Sequence, residues 1–412
     1  DYVPYPLWRR AMPAPLKRIT PGLLKAFFPV NIDRDPPQTP LDLAQFMKRW
    51  SLLPHGVDVA DAASAMAGAV MPVETAPQDA PSATLSQAIR LPAQWEPIER
   101  IMLTFPILYP PLWHTHAQII EAITPVAEVT CLVPAPQWAR AARYYFQARG
   151  IAQMERVHFL HLPTDDIWVR DYGPFVGRTE TGTRAIVDAT FAPLAAYPQE
   201  QDNAVASRWA AHTGAVAQHF DFYTEGGNYW SDGQGTLLIS DEISARYPHL
   251  PATEIETRLR EAFQFDKLIV LPRLLGEETG HVDLVCKLVD AQTVLVNRPN
   301  GTRNDDRLVE AVRRLRQETN AQGQPYQVVE LPFPARYYNW GMFAVWRSYT
   351  NSLTVNGRVL VPVFGIADDV QALRIYQDVM PDFEIVPIDC RIAANGGGAV
   401  HCLTKEIPLD LT

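Results

Sequence analysis

The chain has 412 residues, 47% of them hydrophobic, and its 36 Lys and Arg against 46 Asp and Glu give a net charge of −10. That length allows two average domains or one large one, with ample apolar content for a core. The acidic balance argues against nucleic acid or an anionic membrane as a general partner, no apolar run is long enough for a membrane-spanning helix, and the four scattered cysteines suit neither a disulfide scaffold nor a CxxC zinc site.

Residues 1–87 read as an N-terminal extension to a catalytic domain over 88–412. The extension begins with a basic stretch through Lys17 and Arg18, is rich in Pro and Ala, and ends in a Pro-rich linker from Pro72 to Pro81. One or two short helices are predicted in it, one over Pro40–Trp50. It carries no catalytic signal, and packing is favoured over a propeptide or docking arm. Because the numbering starts at Asp1 rather than Met, a tag or processed segment is expected ahead of it. The compartment stays open between export and the cytoplasm, leaning to export.

From Leu91 onward a unit repeats: an apolar strand, an amphipathic helix and a second apolar strand ending near Pro. The first runs through Ile101–Pro106, a helix carrying Ile119, Ile120 and Ile123, and Thr130–Pro134. The second is blurred, around Ala185–Asp188 and Asp202–His212. The third is Thr236–Ile239, a helix over Thr253–Phe263, and Leu268–Pro272. The fourth is Thr293–Val296, Asp306–Gln317 and Val328–Pro332, and the fifth Val359–Pro362, Asp368–Tyr376 and Glu384–Ile388. Strands and helices alternating at this spacing predict an α/β fold. Five similar units suggest radial repetition about an axis, although a doubly wound sheet gives a similar local pattern.

The residues able to do chemistry fall between the units, where loops from distant repeats can converge. Cys402 follows the run Gly396-Gly397-Gly398, and a thiol needs a cationic neighbour or ligand to react as thiolate. An inert buried Cys is the plain alternative. In His281-Val282-Asp283 an extended backbone puts both polar side chains on one side, as a general acid/base beside a carboxylate or as half of a metal pair. No further His or Cys at short spacing completes a zinc site, and His401 is expected to face away from Cys402. Asp171 lies among Trp168, Tyr172 and Phe175, a setting that suits a planar cation unless it only pairs with Arg170. Glu225, before Gly226-Gly227, either orients His281, holds a substrate nitrogen or caps a turn.

In this order the motifs resemble the agmatine deiminase and bacterial peptidylarginine deiminase family, within the guanidine-modifying superfamily of five-bladed α/β propellers. The resemblance rests on Leu91–Pro97, Trp168–Gly173, Glu225–Tyr229, Asp232–Thr236, Gly280–Asp283, Ser348–Ser352 and Gly397–Cys402, spanning about residues 88–408. It implies a five-bladed pseudo-symmetric propeller of ββαβ-type units, with Cys402 as nucleophile, His281 as general acid/base, and Asp171 and Asp283 as guanidinium-binding carboxylates. It further implies Glu225 near the His, with Asn351, Trp168 and Tyr229 lining the substrate site. No metal or other cofactor is implied. The expected partner is a guanidinium-bearing substrate, a peptide arginine or small molecule, hydrolysed to a ureido product and ammonia through a Cys thiouronium; a homodimer is allowed. Asn228-Tyr229, Asp171–Phe175 and Tyr349–Ser352 look more like the peptidylarginine type than the agmatine type, yet the loop Phe191–Asn203, where a peptidylarginine enzyme would offer arginines to a C-terminal carboxylate, has none and carries Glu200 and Asp202. The alternatives are an agmatine deiminase, an amidinotransferase of the same superfamily and a non-catalytic binder of arginine peptides. A cysteine peptidase fits less well, because acidic residues around the thiol suit a cation better than an amide.

Overall fold

The computed structural model describes residues 37–68, 72–107, 109–191, 199–301, 303–339 and 343–410. Strands buried on both faces read as continuous apolar runs. Ile101-Met102-Leu103, Val294-Leu295-Val296 and Val359-Leu360-Val361 are such runs, all fully buried, and each lies within the second strand of a sheet. Five sheets share one order, in which a first strand runs antiparallel to a second and the second parallel to a third.

In sheet I these strands are Lys405–Pro408, Ile98–Thr104 and Glu128–Val133, so the last described strand of the chain completes the sheet that the domain opens with. Sheet II is Phe175–Arg178, Arg184–Thr190 and Ala217–Tyr223. Sheet III is Trp230–Ser231, Thr236–Ser240 and Lys267–Leu271. Sheet IV is Cys286–Leu288, Thr293–Asn297 and Gln327–Leu331, and sheet V is Leu353–Val355, Arg358–Val363 and Glu384–Asp389. A helix joins the second strand to the third in each. In sheet IV it is Asp305–Gln317, which buries Leu308, Ala311, Val312 and Leu315, one face at helical spacing.

The α/β reading holds, and the blurred second unit resolves into sheet II with the helix Val205–His212. Two elements were not anticipated: the helix Pro136–Ala148 with the strand Val157–His161, which widens sheet I, and a hairpin of Tyr337–Asn339 with Phe343–Val345.

The extension packs on this body. The helix Pro40–Arg49 starts at a Thr39/Asp42 capping box and sets Phe46 edge-on to Trp138 at 5.1 Å. The Pro-rich stretch differs from a free linker. Glu74–Thr75 adds a parallel strand to sheet I and Ala83–Thr84 one to sheet II, so backbone pairing ties it down. Residues 1–36, with the basic start, lie outside the described residues.

One regularity positions the site. The turn entering the first, antiparallel strand of every sheet carries polar residues that the sequence singled out. These turns are Val169–Tyr172 before sheet II, Gly226–Asn228 before III, Val282–Leu284 before IV, Ser348–Ser352 before V and Val400–Thr404 before I.

Candidate active site

Cys402, His281, Asp171, Asp283, Glu225 and Asn351 come together from these five turns. The Asn351 amide is the hub. Its Nδ2 donates to Asp283 Oδ2 at 3.0 Å and lies 3.0 Å from Cys402 Sγ, while its Oδ1 accepts from the backbone N–H groups of Ala399 and Cys402. Cys402 Sγ lies 3.7 Å from Asp283 Oδ2. The glycine run lets the thiol in: a Cβ on Gly398 would sit 2.6 Å from the Trp168 ring and 2.7 Å from Cys402 Cβ.

His281 is clamped between carboxylates. Its Nε2 pairs with Glu225 Oε2 at 2.8 Å, and its Nδ1, without a hydrogen-bond partner, lies 3.4 Å from Asp171 Oδ1. Glu225 is also held by Arg246 at 2.9 Å. Contrary to the extended segment expected, His281 caps a short 3₁₀ turn over Val282–Leu284. Asn228 Oδ1 accepts from Val282 N and Ser240 N and so fixes this turn to sheet III.

Electrostatics follow from burial and neighbours. Burial works against charge on His281, yet the Asp171 and Glu225 carboxylates outweigh it and raise its pKa to about 10. Burial also opposes the Glu225 charge, but His281 and then Arg246 bring its pKa down to about 2. Asp171 is raised to about 6 and Asp283 to about 7, in both cases chiefly by burial. The Cys402 thiol is pushed well above its ordinary value by burial, and then by the charges of Asp283 and Asp171. The free site is therefore an imidazolium among carboxylates beside a neutral thiol.

Gly227 packs directly under these groups and leaves no room for a side chain: a Cβ built there would lie 2.5 Å from His281 Nδ1, 2.8 Å from Asp171 Oδ1 and 3.3 Å from Asp283 Oδ2. Asp283 Oδ1 is buried without a hydrogen-bond partner among the described residues. Two converging carboxylates beside a thiol suit planar N–H donors. Asp171, Glu225 and His281 also each offer a ligand atom within 4.8 Å of the others, a spacing that a metal can use. His281 Nε2 is committed to Glu225 and Glu225 to Arg246, which makes the trio a held imidazolium.

Residues 90–408 match the family of Porphyromonas-type peptidyl-arginine deiminases. The chain belongs to this family. It is 30% identical over 355 residues to the agmatine deiminase of Ectopseudomonas mendocina (strain ymp), covering 78% of this chain and 96% of that relative. It is 29% identical over 355 residues to the agmatine deiminase of Pseudomonas aeruginosa (strain UCBPP-PA14), with the same coverage. Among solved structures, an agmatine deiminase of Enterococcus faecalis superposes with a TM-score of 0.72 at 24% identity, covering 80% of this chain and 100% of that one. A putative arginine deiminase from Porphyromonas gingivalis superposes at 0.68 with 26% identity, over 78% and 98%.

Within this family member, two residues named from the sequence sit apart from the cluster. Trp168 borders it through Gly398. Tyr229 turns into the core, its hydroxyl engaged with Thr224 and its ring packed on Phe175 and Phe263, so a substrate contact is not what this structure gives it. Arg170 does not pair with Asp171; it donates to His401 O and pairs with Glu406. Asp202 is buried, its Oδ1 accepting from the backbone of Asp165 and Asp166, a structural anchor for the Trp168 turn.

Sequence reasoning missed Gly227 and His401. His401 Nδ1 meets Asp283 Oδ2 at 2.7 Å and its ring stacks on Trp230. Burial, then Arg170 and Lys287, hold its pKa well below the ordinary value, so neutral His401 donates to Asp283. The expectation that it faces away assumed an extended strand, whereas Cys402 sits in a turn.

Proposed function

We propose that the protein is a deiminase that hydrolyses the guanidino group of a small cationic substrate, agmatine first among the candidates, to a ureido product and ammonia. The observation that carries this reading is the convergence of Asp171, Asp283 and His281 on the Cys402 thiol, with Asp283 Oδ1 buried and without a hydrogen-bond partner among the described residues. The guanidinium N–H groups would pair with the Asp171 and Asp283 carboxylates. The positive charge brought in favours the thiolate that the empty site disfavours.

Cys402 Sγ then forms a bond to the guanidinium carbon, and the C–N bond breaks as His281 gives its proton to departing ammonia. A covalent thiouronium remains. Neutral His281 takes a proton from water, the oxygen bonds to the same carbon, and the C–S bond breaks to release the ureido product. Glu225 keeps His281 protonated for the first half, and Asn351 holds the thiol against Asp283.

Agmatine is favoured over peptidyl arginine because the curated relatives matching over nearly their full length carry that name, and because Phe191–Asn203 holds no arginine to receive a carboxylate. We also propose that sheets I–V are blades about a pseudo-fivefold axis, which would explain why five equivalent turns share one site. The test offers agmatine, free arginine and peptides with internal or C-terminal Arg, and measures ureido product and ammonia, with Cys402→Ser as control. Ureido product from agmatine alone, lost in Cys402→Ser, is expected; turnover of peptides without agmatine would overturn the substrate assignment. No product from any of them would overturn the deiminase reading.

A further inference from the structure

Behind the catalytic layer lies a set of buried cations that the proposed reaction does not use. Arg170 precedes Asp171, Lys287 follows Asp283 by four residues, and Lys405 follows Cys402 by three; they are 2%, 0% and 5% exposed. The carboxylate among them, Glu406, is taken by Arg170. Lys287 Nζ donates to Gln94 Oε1 at 2.7 Å and Ser352 O at 3.0 Å, both neutral acceptors. Lys405 Nζ has no hydrogen-bond acceptor among the described residues and lies 4.4 Å over the Phe175 ring. Beside it is a cavity of about 40 Å³, lined by Gln94, Arg170, Gly226, Tyr229, Lys405 and Glu406 among others.

Burying an ammonium without an acceptor is costly, and here the ammonium adjoins an empty space with a second cation on its wall. The space exceeds the ~10–15 Å³ that one water needs, so it admits a small ion. Burial brings Lys405 down to about 8, with the Arg170 charge adding to the effect and Glu406 and Asp171 opposing it. Lys287 is lowered to about 7, again chiefly by burial. Two cations, Arg170 and Lys405, and one carboxylate, Glu406, line the space, and that carboxylate is already paired with Arg170, so one positive charge is left over, which a neutral water does not relieve and an anion does.

We propose that this cavity is a binding site for one small monovalent anion, a halide, held by the Lys405 ammonium and the Arg170 guanidinium at the rear of the catalytic layer. The charge of Arg170 helps keep Asp171 ionised, so a halide here connects the salt composition to the acidity of the substrate-binding carboxylate.

The test uses the full chain. Crystals grown in potassium bromide are measured at the bromine absorption edge, and melting is followed in potassium chloride, bromide and gluconate at equal ionic strength. An anomalous peak within contact of Lys405 Nζ is expected, together with a Tm higher in either halide than in gluconate and rising with halide concentration, as binding to the native state requires. Lys405→Met should lose the halide-specific part of the shift; should that variant not fold, the two wild-type measurements decide. A cavity without an anomalous peak, or equal Tm in halide and gluconate, overturns the proposal. A peak without halide-specific stabilisation marks an adventitious ion only and overturns it as well.

Discussion

Replacing Gly227 with Ala puts one methyl group against the His281 ring and the Asp171 carboxylate. The Gly227 backbone is outside the left-handed region, so Ala meets no conformational penalty and the effect is one of contact alone. The new Cβ would lie 2.5 Å from His281 Nδ1 and 2.8 Å from Asp171 Oδ1. Against ordinary contact at 3.4 Å, His281 must give way by about 0.9 Å and Asp171 by about 0.6 Å. Misplacing reacting groups by about 1 Å costs on the order of 100-fold in rate, or about 2.7 kcal/mol of transition-state stabilisation. Overpacking of one methyl costs about 1–3 kcal/mol of stability, which a typical domain survives. Steady-state kinetics on the preferred guanidine should therefore show kcat/KM reduced about 100-fold or more, in a protein that still melts cooperatively. Gly226→Ala makes the contrast: its Cβ would meet the Arg170 carbonyl oxygen at 2.1 Å, so that variant should lose stability first. A Gly227→Ala enzyme with kcat/KM within about threefold of the parent would refute the roles proposed for His281 and Asp171.

Three further outcomes follow from the electrostatics. Because burial, Asp283 and Asp171 hold the Cys402 thiol neutral, iodoacetamide should alkylate it slowly at pH 7, and a non-hydrolysable guanidinium ligand should raise the ultraviolet thiolate absorbance of wild type but not of Cys402→Ser; absorbance unchanged by the ligand would contradict substrate-assisted ionisation. Glu225→Gln removes a carboxylate that raises His281, so the alkaline limb of kcat/KM, expected near pH 10, should move to lower pH, with kcat reduced about 10- to 1000-fold; an unmoved limb would separate Glu225 from the acid/base. His401→Asn weakens the donation to Asp283 Oδ2, so the acid limb, set by Asp171 at about 6 and Asp283 at about 7, should move to higher pH. A fall in kcat without that movement would make His401 a packing residue only.

Much of the architecture was legible because it repeats. The apolar strands and helices such as Asp305–Gln317 announce themselves by period, and chemistry-bearing residues falling between units point to loops that converge. The helix Pro136–Ala148 was missed because its buried Trp138, Ala142, Tyr145 and Phe146 are interleaved with arginines and carry no strand-like boundary. The Pro-rich stretch misled in the other direction: its pairing with sheets I and II consists of two short strands whose partners are 86 and 135 residues away, beyond any local signal. Within the site, Cys402, His281, Asp171 and Asp283 could be named by their chemistry. Gly227 could not, because a glycine required by the close approach of His281 and Asp171 is defined by what surrounds it, and His401 was misassigned because alternation along a strand does not apply in a turn. Tyr229 sits two residues from Gly227 along the chain, yet the strand it enters carries the ring into the core.

The arrangement also bears on how such a thiol stays unreactive until it is needed. A cysteine activated permanently by a cation would be open to alkylation and oxidation at all times. Here the cation of the site, His281, is spent on Glu225 and Asp171, and the carboxylate nearest the thiol, Asp283, repels a thiolate. Only a ligand that neutralises Asp171 and Asp283 while bringing its own positive charge to Sγ changes that balance, and a guanidinium does both. A neutral isostere of the same shape would occupy the same place without ionising Cys402. On the proposed reaction, selectivity for charged guanidines over neutral ureas would be a property of the thiol as well as of the carboxylates, and the ureido product, having lost the charge, would leave behind a thiol that protonates again.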